Sequence, residues 1–274
     1  MLQSDMVGEV GAYGLRVDGL DGAERWMQEQ PPAAPRLEIR AIQAPPDRSP
    51  SRLDGQAADL ALLDGGRLRA RRDEGVVRFS LPVVPSPAEL LHPYLAPAAA
   101  LTWQWAGREA LHAGAVQVGA GAVLVLGAKE AGKSTLLEWL AREAGLAVIA
   151  DDLAVIDGGR VLAGPRSIDL RSGSHAEGSR VRGHGRERMT LPAARAATPV
   201  IGTVVLDWEP ELEVALVPAI RRLGLLAAQR TYPPLEGDPA ALLDLAARPM
   251  FTLSRRRDLG QLEPAAMALL ERFS

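Results

Sequence analysis

The sequence predicts an α/β fold with a βαβ unit at its centre and a smaller β-rich region ahead of it. Three observations predict this. Residues 122 to 152, AVLVLGAKEAGKSTLLEWLAREAGLAVIADD, read as apolar run, glycine loop, amphipathic stretch, second apolar run and carboxylate pair. Short alternating runs broken by glycine turns span residues 58 to 81, the pattern of a β-meander, after an alternating run at 36–42 and a flexible segment at 45–56. Five prolines between Pro82 and Pro97 read as a linker between the two. Two regions are therefore expected, 1–97 and 98–274, and 274 residues at 47% apolar composition suffice to bury their cores.

The central loop runs Gly127, Ala128, Lys129, Glu130, Ala131, Gly132, Lys133, Ser134 and continues into Thr135. It fits the phosphate-binding pattern G-x-x-x-x-G-K-[ST], in the strand-to-helix setting that pattern requires. Glycines at the two fixed positions let backbone N–H groups curl around phosphate oxygens, and the helix N-terminus adds its positive dipole end. Lys133 then reaches the β and γ phosphates of ATP, and Ser134 is placed to ligate Mg²⁺. Lys129 and Lys133 are the only lysines among the chain's 31 basic residues. An ammonium acting on phosphate as a point charge is poorly replaced by a planar guanidinium, so their survival in an arginine-rich chain points to a requirement at the loop. For Lys129, a solvated loop charge is an equal reading.

From Lys133 to Arg142 the apolar residues Leu136, Leu137, Leu140 and Ala141 recur at helical spacing, Gly145 ends the helix, and Leu146 to Ala150 has the character of a buried parallel strand. A right-handed crossover returns that strand to the sheet of the first, so Asp151 and Asp152 emerge beside the phosphates. Two successive carboxylates suggest divided labour. One serves Mg²⁺ and the other takes a proton from an acceptor hydroxyl, unless one of them merely caps the following turn.

This set resembles the C-terminal kinase domain of the HPr kinase/phosphorylase family, with its HPr kinase/PEP carboxykinase-like core. The carrying residues are the loop, Ala150-Asp151-Asp152 and the upstream Leu111-His112-Ala113, within residues 110 to 170. The resemblance implies Asp151 as general base on an acceptor serine, Asp152 as its partner near metal (with Ser134) and phosphate, and His112 lining the phosphate site. Glu130 and Lys129 replace the Gly and Ser usual in the bifunctional enzymes, and the phosphorylase signature is faint at Val181 to Gly185, so dephosphorylation is not expected. The whole chain is similar to the shorter HPr-kinase-related proteins of lasso-peptide and related ribosomal-peptide pathways. Leu253 to Leu259 adds to that likeness, and it implies a precursor peptide as serine-bearing substrate.

The remaining elements follow in order. A first strand is expected within 6–17, a loop at 28–35, strands at 36–42, 58–63, 67–71 and 76–81, and a helix at 98–106 whose Trp103 and Trp105 are core residues. An exposed edge of this β-rich part is open to an extended peptide. His112 leads into the hairpin ahead of the loop. After Asp152, the runs 153–156 and 161–163 flank a glycine turn, and 168–170, 200–206 and 212–217 read as strands. Segments 223–230, 240–246 and 261–273 read as helices, and Asp207 stands at a strand end facing the same site. Residues 171 to 188, with five arginines and almost no apolar side chains, read as a mobile loop. Arg180, Arg182, Arg186 and Arg188 are its candidate lid residues, closing on phosphate or on an acidic peptide.

A net charge of −3 leaves no basic footprint for nucleic acid, and zero cysteines exclude disulfides and thiolate metal sites. No apolar run approaches a membrane span, and Met1 to Gln30 has no signal-peptide pattern, so a cytoplasmic protein is expected, as an oligomer or not. The composite expectation is an ATP- and Mg²⁺-dependent kinase acting on a serine of a peptide or small protein. A kinase of a small alcohol or nucleoside is the alternative within enzymes, and an ATP-binding regulatory protein the alternative outside them.

Overall fold

Apolar residues at alternate positions build the first layer. A computed structural model describes residues 9–171, 182–183 and 186–273. Strands β1 (Val10–Ala12), β2 (Leu15–Asp18), β3 (Gln28–Glu29), β4 (Arg36–Gln43), β5 (Arg52–Leu53), β6 (Ala57–Ala61), β7 (Arg67–Arg71) and β8 (Val76–Leu81) form one eight-stranded sheet in the order β3-β1-β2-β4-β8-β7-β6-β5. Leu37 and Ile39 on β4, Leu68 and Ala70 on β7, and Val77, Phe79 and Leu81 on β8 bury one face. The single strand expected in 6–17 is a hairpin, turned at Tyr13 and Gly14, both with positive φ.

The proline-rich stretch expected as linker is structured. Helix α1 (Pro87–Leu90) starts from Ser86, whose side chain and that of Glu89 close a reciprocal capping box, and α2 (Leu95–Trp105) follows. Pro87 and Pro97 sit in first helical turns, where a missing N–H costs nothing. The apolar residues between the prolines decide the outcome, because Leu90, Leu91, Tyr94 and Leu95 are all buried. Trp103 and Trp105 are core residues, each with its indole N–H on a carbonyl of the first sheet region, Tyr13 at 2.7 Å and Asp54 at 3.0 Å. One continuous cluster of buried side chains links the first sheet, α2 and the second sheet.

That second sheet has nine strands. Strands β9 (Glu109–Leu111), β10 (Gly114–Val118) and β11 (Gly121–Leu126) precede helix α3 (Lys133–Arg142), and β12 (Val148–Ala150), β13 (Ala154–Asp157) and β14 (Arg160–Leu162) follow it. A small separate sheet holds β15 (Ser167–Arg171), β16 (Arg182–Gly183) and β17 (Arg186–Thr190). The chain returns through β18 (Ala197–Trp208), β19 (Glu213–Leu216), α4 (Ala219–Ala227), α5 (Pro239–Ala247), β20 (Met250–Arg255) and α6 (Leu262–Leu270). The main order is β12-β10-β11-β18-β14-β13-β9, with β20 on β18 and β19 on β20. β11, β18 and β20 are mutually parallel, and β12 runs the same way because β10 is antiparallel to both β11 and β12. The crossover therefore returns to the same sheet with β10 in between, and four carboxyl ends share one edge.

Two expectations are corrected here. Strand β20 was not anticipated, yet Met250 and Leu253 are fully buried and it extends the parallel set. The loop expected at 171–188 is, in its described parts, strand: β15 pairs with β17 along Ser167 to Arg171, which satisfies backbone groups a free loop would leave to water. Among the described residues no helix is long and apolar enough to cross a membrane.

Candidate functional site

The four carboxyl ends open onto a cavity of about 880 Å³, in the crevice where open α/β sheets place their ligands. β11 ends at Leu126 and the chain turns through residues that only a glycine-bearing loop allows. Gly127 has φ 147°, Glu130 70° and Gly132 87°. A Cβ on Gly132 would lie 2.8 Å from the Arg255 guanidinium and 3.2 Å from the Trp208 ring, and one on Gly127 would meet Ala131 Cβ at 2.9 Å. The two fixed glycines are thus required by backbone conformation and by close packing together.

Lys133 opens α3 and is buried. Its ammonium donates to the carbonyls of Gly127 at 2.8 Å and Ala128 at 3.2 Å, and to His112 Nε2 at 3.1 Å. Burial pulls its pKa down, against the opposing pull of Asp152 and Asp151. His112 follows β9, and its Nδ1 lies 3.0 Å from the Asp152 carbonyl and 3.3 Å from Asp152 Oδ1. The neutral tautomer with hydrogen on Nδ1 satisfies both ends, donating to the carbonyl and accepting from Lys133. His112 thereby ties the lysine to the strand that carries the carboxylates.

The two carboxylates face different partners. Ser134 Oγ donates to Asp151 Oδ1 at 3.0 Å. Burial, with the Asp152 carboxylate second, pushes Asp151 up to about 7. Asp152 lines the cavity from a left-handed backbone position, φ 69°, with His112 on one side and His92 Nδ1 at 3.9 Å on the other. The serine sits on Asp151, and not on the Asp152 expected to share a metal with it. Ser134 and Asp151 are hard oxygen ligands of the kind Mg²⁺ takes. Among the described residues no group of three or more acidic or histidine side chains is arranged to hold a metal by itself. Mg²⁺ commonly uses one or two protein ligands and completes its shell with water and phosphate.

Of the other expected residues, Lys129, Glu130 and Thr135 line the same cavity, the Ala128 carbonyl holds Lys133, and Ala131 is buried beneath the loop. Asp207 does not line it; its carboxylate accepts from the backbone N–H of Trp208, which does. Arg188 is buried and grips Asp169 with its Nε at 3.0 Å and its Nη2 at 2.9 Å, under the ring of Trp26. Arg180 and the side chains of Arg182 and Arg186 lie outside the described residues. Sequence reading missed His92, between α1 and α2; Asp169, on β15; Trp208, Arg255 and Arg257, from the ends of β18 and β20; and Trp139 on α3. Helical spacing could have found Trp139, on the helix that Lys133 opens, whereas the others come from distant segments with no local signal.

No family model matches the chain, and no curated protein sequence does. Among solved structures, the Hpr(Ser) kinase/phosphatase from Coxiella burnetii is similar to it with a TM-score of 0.34 and 12% identity, over 60% of this chain and 97% of that one.

Proposed function

We propose that the protein is an ATP-dependent phosphotransferase that moves the γ-phosphoryl group to a serine hydroxyl of a peptide or small protein. The observation that carries this reading is convergence: Gly132 and Lys133 of the glycine loop, Ser134 and the Asp152–His112 pair line one cavity, with Asp151 behind Ser134 as its hydrogen-bond acceptor. Phosphoryl transfer demands positioning and charge neutralisation more than covalent chemistry, and this set supplies both. The resemblance of the loop, the carboxylate pair and His112 to the kinase domain of the HPr kinase family favours a serine acceptor, and the likeness of the whole chain, with its Leu253 to Leu259 segment, to the HPr-kinase-related precursor-peptide kinases favours a peptide over a small alcohol.

In this reading the loop N–H groups and Lys133 hold the phosphate chain, the ammonium exchanging loop carbonyls for more strongly accepting phosphate oxygens. Ser134 and the Asp151 behind it would hold Mg²⁺, which would supply charge neutralisation at the phosphates. Asp152 faces the cavity, so it takes the acceptor proton as the serine oxygen bonds to phosphorus and the bond from phosphorus to the ADP oxygen breaks. These roles exchange the two that the family resemblance implies for the carboxylates. His112 is a positioning residue that keeps Lys133 and the Asp152 backbone in register.

The test pairs two substitutions. Asp152→Asn is expected to leave MgATP affinity unchanged and to lower phosphopeptide formation by about 10²-fold or more, the scale of a lost general base. Asp151→Asn is expected to weaken Mg²⁺-dependent nucleotide binding itself. Mass spectrometry of serine-containing peptide pools reads the first and calorimetry the second. If wild type changes shape with ATP yet phosphorylates no peptide, the regulatory reading replaces this one.

A further inference from the structure

Among the described residues three arginines are almost wholly buried, and two of them are compensated. Arg67 has the Asp59 carboxylate at 2.7 Å and backbone carbonyls around it, and Arg188 has Asp169. The third, Arg255 at the end of β20, is 3% exposed and lines the cavity. Among the described residues no carboxylate stands within ion-pair range of it. It makes one long hydrogen bond, Nη1 to the Arg256 carbonyl at 3.5 Å, and its guanidinium stacks on the Trp208 ring at 4.4 Å. Nη2 faces Gly132, at the junction of loop and helix, 2.8 Å from where a Cβ would stand.

A buried cation without an anion is costly, and burial draws the Arg255 pKa down. Such a charge persists in a folded chain where a ligand provides the missing anion. Position indicates which ligand. In the order β12-β10-β11-β18, with β20 beyond, Asp152 and His112 flank the loop on the β12 side, while Trp208 and Arg255 flank it on the β18 and β20 side. The acceptor chemistry is on one flank, which leaves the other to the nucleotide.

We propose that Arg255, held on Trp208 as a platform, is the second cation of the phosphate site and binds the polyphosphate chain of the nucleotide opposite Lys133. The inference rests on the nucleotide reading given above. A planar guanidinium can take two phosphate oxygens at once, which an ammonium cannot, and an aromatic face pre-orients the fork.

Calorimetry with tripolyphosphate, MgATP and adenosine tests it on wild type, Arg255→Met and, as a surface control, Arg256→Met. Arg255→Met is expected to lose about tenfold or more in affinity for tripolyphosphate and MgATP, the range of a charge-assisted contact, while any adenosine binding is unaltered. Arg256→Met, whose Nε donates to the Pro210 carbonyl on the surface, is expected to bind as wild type. Tripolyphosphate should also shift tryptophan fluorescence in wild type, and Trp208→Phe should lose the greater part of this signal, with Trp139 of the same cavity carrying any remainder. If Arg255→Met does not fold, Arg255→Lys decides: a tenfold loss supports the fork, and wild-type affinity overturns it. Unchanged tripolyphosphate affinity in a folded Arg255→Met protein reduces Arg255 to a packing residue. Wild-type protein that binds neither tripolyphosphate nor MgATP refutes the nucleotide reading itself, and with it this inference.

Discussion

Asp151 links the site's chemistry to the stability of the fold. Its carboxyl is raised to about 7 in the folded chain, by burial first and by Asp152 second. An unfolded Asp releases its proton near pH 4. Between those values the folded state keeps a proton that the unfolded state has lost, so stability is greatest at the acid end of this window and falls as pH rises. Thermal unfolding without Mg²⁺ is expected to show a falling melting temperature from about pH 5 to 7 that levels off above. Asp151→Asn should flatten this dependence, because its amide cannot titrate. A slope that survives the substitution would assign the effect to another group.

Among the elements, the β15–β17 pair carries a buried charge into the cavity wall. Arg188 holds Asp169 in a bidentate grip and is covered by Trp26, whose own indole N–H donates to Thr190 Oγ1 at 3.1 Å. The Arg188 Nη1 also donates to the Ala88 carbonyl of α1. Removing one partner of a buried pair leaves the other's charge less compensated, at a cost of up to about 3–5 kcal/mol. Arg188→Met should therefore destabilise by that order in denaturant melts, whereas Arg188→Met with Asp169→Leu should recover much of the loss. A single substitution near neutral would mean that Asp169 is compensated without Arg188. Strand β20 is held by packing instead: Leu253 is fully buried between the sheet and α6, and Leu253→Ala should cost about 2–5 kcal/mol.

At the scale of the molecule, the two sheets are joined through α2 and the segment before it. Trp103 and Trp105 donate into the first sheet region, and the Tyr94 hydroxyl donates to Asp64 at 2.6 Å. Trp26 and Gln28 reach the other way, the Trp26 carbonyl accepting from the Arg166 N–H and the Gln28 side chain donating to the Gly164 carbonyl. Because apolar residues of both sheets belong to one buried cluster, neither region can unfold without exposing part of the other's core. Calorimetry on the whole chain is expected to give one transition, coincident by circular dichroism and tryptophan fluorescence. Two resolved transitions would show that this cluster does not couple the sheets.

The glycine loop, α3 and the carboxylates after β12 were legible in the sequence because their signals are local. Glycine spacing, a lysine in a chain otherwise rich in arginine, and apolar residues at helical period all act within a few turns of chain. The meander from β6 to β8 was legible for the same reason, its glycine turns sitting between alternating runs. Tertiary structure alone decided what distant segments bring to the cavity. β20 has a short apolar pattern whose meaning depends on β18, more than forty residues away, and Arg255, Trp208, His92 and Asp169 arrive from strands and a helix junction that no local pattern connects. It also decided how Asp151 and Asp152 divide. Adjacent in sequence and chemically identical, they point to Ser134 and to the cavity where the backbone turns left-handed at Asp152, whose carbonyl is held by His112 from a distant part of the chain.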